Sequence, residues 1–163
     1  MRIKRAPELV LIIGPCGAGK TTYARDAYPQ HAQPDYESFI RALTPDGALH
    51  YDVTLRAIAG RIQRDAARDL LKRGRAVCLT SGGATRTERA TWIALAHDAG
   101  AVVLCVWLVV DEATCLARAQ SDITRPTTSK GKWAQIVHNW FARYEPIDAA
   151  GELLDEYREV LWG

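Results

Sequence analysis

The sequence has little of what several protein classes require. Its four cysteines, Cys16, Cys78, Cys105 and Cys115, contain no Cys-x-x-Cys pair, and its four histidines are scattered without ligand spacing. Neither a zinc site nor a disulfide framework is indicated. Thiols set in candidate strands and helices read as buried and reduced, which points to a reducing, cytoplasmic compartment. Long apolar runs are missing too. The longest, residues 9–13 and 101–110, reach at most about half the roughly 20 residues of a membrane-spanning helix, so no membrane partner is expected. The basic opening Met1-Arg2-Ile3-Lys4-Arg5 is followed by no small-residue cleavage site and reads as the approach to a strand, not as a signal peptide. Nor is charge in excess. Lys and Arg number 21 against 19 Asp and Glu, a net of +2 that is too small for a nucleic-acid coat protein. Local basic faces stay open.

What is present describes one folded unit. With 163 residues, 48% of them hydrophobic and 25% charged, the chain fits a single domain over 1–163, because two cores of half this size could hardly hold themselves together. Glu8-Leu9-Val10-Leu11-Ile12-Ile13 is an unbroken apolar run ending at Gly14. That is the pattern of a strand buried on both faces of a parallel sheet. Residues 75–80 and 101–110 repeat it, each after a glycine, Gly74 or Gly100, placed to cap a helix. Leu55, Ile58, Ile62, Ala66 and Leu70 predict an amphipathic helix over 51–72 with that stripe inward. Helices are also expected over 85–98, with Thr85 and Glu88 as a capping box, and over 111–120. Trp133, Ile136, Val137, Trp140, Phe141 and Tyr144 form a stripe spaced three and four apart, read as a packed helix face. Residues 157–162 predict a last strand, and Thr44-Pro45-Asp46-Gly47 a tight turn. Helix and strand alternate, so the fold class is α/β.

The most specific signal lies between the first strand and the first helix. Gly14-Pro15-Cys16-Gly17-Ala18-Gly19-Lys20-Thr21 satisfies Gly-x-x-x-x-Gly-Lys-[Ser/Thr] in full. Glycines at this spacing let successive backbone N–H groups converge on phosphate oxygens, and the helix behind them adds its positive end. Lys20 is expected at the β- and γ-phosphates of ATP and the Thr21 hydroxyl on Mg²⁺. The expected nucleotide contacts are Gly14, Cys16, Gly17, Ala18, Gly19, Lys20, Thr21 and Thr22, with Cys16 a spacer whose backbone faces the phosphates.

The run Leu11-Ile12-Ile13-Gly14-Pro15-Cys16-Gly17-Ala18-Gly19-Lys20-Thr21-Thr22-Tyr23-Ala24-Arg25 resembles the opening of bacteriophage-type polynucleotide kinases and their small P-loop kinase relatives. Thr85-Arg86-Thr87-Glu88-Arg89, Ala94-Leu95-Ala96, Gly100-Ala101 and Cys115-Leu116-Ala117-Arg118 are similar in order and spacing to that family's central helix, fourth strand and lid entrance. The resemblance extends over residues 8–147. It implies a P-loop NTPase three-layer sandwich with a central, mainly parallel sheet of four to five strands and a small lid near 118–132. It also implies a general-base Asp soon after the first helix. Asp35 in Pro34-Asp35-Tyr36-Glu37-Ser38 stands there, with Glu37 as the competing carboxylate and helix capping as another role for Asp35. Where the family carries an Arg three residues on, to hold the acceptor phosphate, this chain has Ser38, and Arg41 one turn later becomes the candidate clamp. The family's third strand ends in a magnesium-binding Asp, whereas Val77-Cys78-Leu79-Thr80-Ser81-Gly82-Gly83 offers only Thr80 or Ser81. Ser81 is also a candidate acceptor contact.

Arg118 and Arg125 bracket residues 119–124, and Pro126-Thr127-Thr128-Ser129-Lys130-Gly131-Lys132 is polar, a pattern read as a lid. Arginines closing over a triphosphate would neutralise spreading charge and exclude water, and Arg118 could also stack on adenine. A solvated helix end with a loop is the alternative. Arg61, Arg64, Arg68, Lys72 and Arg75 share one stripe, which is either a salt-bridged solvent face with Asp65 and Asp69 or a track for a phosphate backbone. Trp133, Trp140 and Tyr144 read as core, with base stacking as the alternative. These features together predict a kinase using ATP and Mg²⁺, with Lys20, Asp35, Arg118 and Arg125 catalytic. The predicted acceptor is a nucleic acid or nucleotide-like hydroxyl, most simply a polynucleotide 5′-hydroxyl. Alternatives are a hydroxymethylated base in DNA, a small metabolite such as a nucleoside or sugar, or a nucleotide binder without catalysis.

Overall fold

The computed structural model describes residues 5–49, 52–122 and 130–163. In chain order the elements are β1 (Glu8–Ile13), α1 (Lys20–Ala27), α2 (Tyr36–Leu43), α3 (Val53–Lys72), β2 (Val77–Ser81), α4 (Arg86–Asp98), β3 (Val102–Val109), α5 (Glu112–Ser121), α6 (Lys130–Arg143) and β4 (Glu156–Leu161). The strands form one four-stranded sheet, parallel throughout, in the order β2-β1-β3-β4. In β1, Leu9, Leu11 and Ile13 face one core and Val10 and Ile12 the other, all with no exposed surface. Two-sided burial is why this strand reads as a continuous apolar run and not as an alternation. α3 and α4 cover one face through Ala67, Leu71, Trp92, Ile93 and Ala96. α1, α5 and α6 cover the other through Ala24, Cys115, Ala119, Trp133 and Val137. The result is a three-layer α/β sandwich.

Local signals set most of the boundaries. Gly74 and Gly100 sit at φ +77° and +72° and close the helices before them, Arg75 N donating to Leu70 O and Ala101 N to Ala96 O. Thr85 and Glu88 form the expected capping box. Gly47 N closes the 44–47 turn on Thr44 O at 2.9 Å.

Two expectations need correction, and a third falls largely outside the described residues. α3 begins at Val53, capped by Asp52, and turns Ala59, Gln63, Ala67 and Leu71 inward. The stripe from Leu55 to Leu70 lies half-buried along its flank. Small side chains at the seam let the helix approach its neighbours closely while longer aliphatic chains fill the sides. On α6, Trp133, Val137 and Trp140 are buried, but Ile136 is 42% exposed, because the apolar stripe is wider than the face that packs. The span 118–132 divides: Arg118 lies in the last turn of α5 and α6 begins at Lys130. Residues 123–129, and Arg125 with them, lie outside the described residues.

Candidate active site

A cleft of about 810 Å³ opens where β1 and β2 end, lined by Gly14 after the first and by Thr80 and Ser81 of the second. In open parallel sheets ligands bind outside the carboxyl ends of the strands. Gly14 N donates to Gly82 O at 3.2 Å, which ties the loop between β1 and α1 to the turn after β2. Gly17 and Gly19 adopt φ +82° and +88°. A Cβ on Gly17 would press into the carbonyl oxygen of Cys115, so only glycine lets the loop lie this close to α5. α1 starts at Lys20 with Gly19 as its cap and no side-chain cap bond, leaving its first N–H groups directed at the cleft mouth. Lys20 Nζ donates to Gly14 O and Pro15 O, each at 2.8 Å. Cys16, Thr21 and Thr22 line the cleft as well. Ala18 does not: it is fully buried, its N–H goes to Pro15 O, and it faces the core from behind the loop.

Across the cleft, Asp35 caps α2, its Oδ2 accepting from Ser38 N at 2.9 Å and Ser38 Oγ at 2.6 Å. The same carboxylate lines the cleft beside Tyr36 and Glu37, so capping and site-facing roles coexist. Ser38, which stands at the expected arginine position, is thus used to orient Asp35. Arg41, the expected clamp, lies near the end of α2 and is not part of the cleft wall; Arg56 of α3 is, with Nε 3.4 Å from Tyr36 Oη. Gln63, also on the wall, donates to Pro34 O at 3.1 Å and holds the Asp35 segment against α3. Neither Arg56 nor Gln63 belongs to a sequence motif, and neither is among the residues expected from the sequence. Trp92, Trp133 and Trp140 complete the wall. They are core residues with one edge on the cavity: Trp140 Nε1 donates to Gly82 O at 2.8 Å, and its ring stacks on Tyr144, which stacks on Trp107.

Two further features frame the loop. A Cβ on Gly19 would lie 2.7 Å from Trp162 Nε1 and 3.9 Å from Arg118 Nη1, so both side chains stand against the last glycine of the loop. Beneath the turn after β2, Arg89 has no exposed surface and donates from Nε and Nη2 to both oxygens of Glu152, at 2.6 and 2.7 Å. Its Nη1 donates to Gly83 O and Ala84 O. Among the described residues no group of three or more His, Cys, Asp or Glu side chains could hold a metal alone. The hydroxyls of Thr21, Thr80 and Ser81 and the Asp35 carboxylate are hard oxygen donors on one cleft. They suit a Mg²⁺ held chiefly by nucleotide phosphates and water.

A parallel sheet with this loop between its central strand and the following helix defines the α/β fold of P-loop NTPases. Residues 9–121 match the AAA domain family AAA_33, and the chain belongs to that family. No curated protein sequence matches it. Among solved structures it is similar to a candidate kinase from Chloroflexus aurantiacus J-10-fl, at 16% identity and TM-score 0.70 over 96% of this chain and 88% of that one. It is also similar to a chain of the Pnkp1/Rnl/Hen1 RNA repair complex, at 14% identity and TM-score 0.64 over 86% of this chain and 47% of the other, about half that protein's length. Shikimate kinase from Acinetobacter baumannii follows at 19% identity and TM-score 0.53, over 98% and 87%. At these identities the likeness is one of fold.

Proposed function

We propose that the protein is a phosphotransferase dependent on ATP and Mg²⁺ that moves the γ-phosphoryl group to a hydroxyl of a nucleic acid or nucleotide-like acceptor, most simply a polynucleotide 5′-hydroxyl. One observation carries this reading: Lys20 and Thr21, the donor-side pair, and Asp35, a carboxylate able to take a proton, line the same cleft. In the proposed step the acceptor oxygen bonds to the γ-phosphorus and its proton passes to Asp35 Oδ1. The bond from the γ-phosphorus to the bridging oxygen breaks, and ADP leaves. Ser38 holds Oδ2 and so aims the other oxygen. Lys20 swings from the carbonyls of Gly14 and Pro15 to the phosphates. Thr21, with Thr80 or Ser81, would hold Mg²⁺, which would supply charge neutralisation on the phosphate oxygens. Arg118 and Arg125 are the proposed cations on the triphosphate, and Arg56 replaces Arg41 as the proposed acceptor cation.

Arg56 on the cleft wall, a cation across from the phosphate loop, favours an acceptor that carries a phosphate. No described helix is long and apolar enough to cross a membrane, in keeping with a proposed cytoplasmic location. The test is transfer of label from γ-labelled ATP to single-stranded DNA, RNA, duplexes and nucleosides, with and without Mg²⁺. Lys20→Ala should lower the rate about 10²–10³-fold and Asp35→Asn about 10²–10⁴-fold. Label confined to small molecules would overturn the polynucleotide reading, and tight ATP binding with no transfer to any hydroxyl would overturn the enzyme.

A further inference from the structure

α3 extends the cleft as a basic ridge. Arg56, in its first turn, is on the cleft wall, and at successive steps of four residues stand Gly60, Arg64, Arg68 and Lys72. Positions four apart share one row of a helix, with a rise of about 6 Å per step, comparable to the distance between neighbouring phosphates of an extended single strand. Gly60 does not interrupt the row. A Cβ there would lie 3.4 Å from Arg64 Nη1 and 3.9 Å from Tyr36 Cε2, so the Arg64 guanidinium reaches back over the glycine toward Tyr36 and the cleft. Arg61 flanks the row, and Arg73 and Arg75 lie at its far end, all three exposed. α3 alone holds five bases and two acids, in a chain whose net charge is +2. Of the acids, Asp65 pairs with Arg68 at 2.8 Å in a pair whose members are 57% and 43% exposed, an arrangement that a phosphate can displace.

We infer that this row is the path of the acceptor strand: with its 5′ end at Asp35, the strand passes Arg56 and lays its phosphates on Arg64, Arg68 and Lys72. The inference rests on the polynucleotide reading above and extends it from the terminal nucleotide to the chain behind it. The row begins at the cleft and winds gently along the helix beside the buried residues Ala59, Gln63, Ala67 and Leu71, and its guanidinium groups suit bidentate phosphate contacts. Both properties fit a threaded polyanion better than a flat anionic surface.

The test needs no catalysis. Binding of 3′-fluorescein-labelled oligothymidylate and oligouridylate is followed by anisotropy over a salt series, for the wild type, an Arg64→Ala/Arg68→Ala/Lys72→Ala variant and an Arg25→Ala control. Each lost contact to a single strand removes about 0.7 from the slope of log K against log salt, so the triple variant should lose about 2 and the control nothing. Transfer to a long strand should show a raised KM at unchanged kcat, while transfer to a dinucleotide and affinity for ATP stay as in the wild type. An unchanged slope overturns the path, as does binding to phosphatidylserine vesicles with none to oligonucleotides. If the slope falls but no hydroxyl is ever phosphorylated, the path stands and the kinase falls. If dinucleotides are phosphorylated and the slope is unchanged, the kinase stands and the path falls.

Discussion

Glu152→Gln would leave Arg89 buried without its counter-ion. Arg89 is 0% exposed and the Glu152 side chain 2%, and the carboxylate takes two guanidinium N–H bonds as well as Asp148 N at 3.1 Å. Breaking such a pair from one side costs about 3–5 kcal/mol. Glutamine keeps one acceptor oxygen, which places the expected loss near the lower end, about 3 kcal/mol. With a urea dependence of about 1–3 kcal/mol per molar, the midpoint should fall by about 1–3 M, read by tryptophan fluorescence. The pH dependence gives a second signature. Burial alone would raise the Glu152 carboxyl, but hydrogen bonds from Arg89 and Asp148 and the guanidinium charge outweigh it and hold the group below its ordinary range. Stability from a lowered carboxyl is complete at neutral pH and fades as pH falls through its folded value. The gap between wild type and variant should therefore be widest at neutral pH and narrow in acid. Arg89→Met/Glu152→Leu, which removes both charges, should recover much of the loss. A Glu152→Gln midpoint within about 0.3 M of wild type, with parallel acid limbs, would refute this reasoning.

Gly17→Ala should abolish ATP binding in calorimetry, since the new methyl group meets the Cys115 backbone at φ +82°. Gly100→Ala, also at positive φ but with no atom within 4 Å of its Cβ, should cost about 1–2 kcal/mol and leave ATP affinity intact. In thiol labelling at mildly alkaline pH the native protein should expose one reactive cysteine, Cys16. Burial pushes the Cys78 and Cys105 thiols up to about 12 and Cys115 up to about 11, so few thiolates form there. ATP should slow the reaction at Cys16, which lines the cleft, and urea should raise the count to the four present. A second fast thiol in the native state would contradict the burial pattern.

The donor side was legible because its signals are local. One run of residues holds β1, the loop and the start of α1, and Gly74, Gly100, Thr85 and Asp35 each announce a helix end through their own neighbours. The acceptor side is assembled from distant segments. Arg56 meets Tyr36, and Glu152 meets Arg89 across 63 positions, with no spacing rule to forecast either. The inward face of α3 is hidden for another reason: hydrophobic size points to the longer chains, whereas at the seam close approach favours Ala59 and Ala67, and Gln63 turns inward to donate to Pro34 O. Trp162 could be placed on a strand end by its surroundings, but its contact with Gly19 depends on how β4 aligns with β3.

The carbonyl oxygen of Gly82 receives both Gly14 N, from the nucleotide loop, and Trp140 Nε1, from the aromatic wall. A single atom is therefore the common bearing of two surfaces that would grip different molecules. Neither surface can slide far without straining a bond to the atom that the other shares.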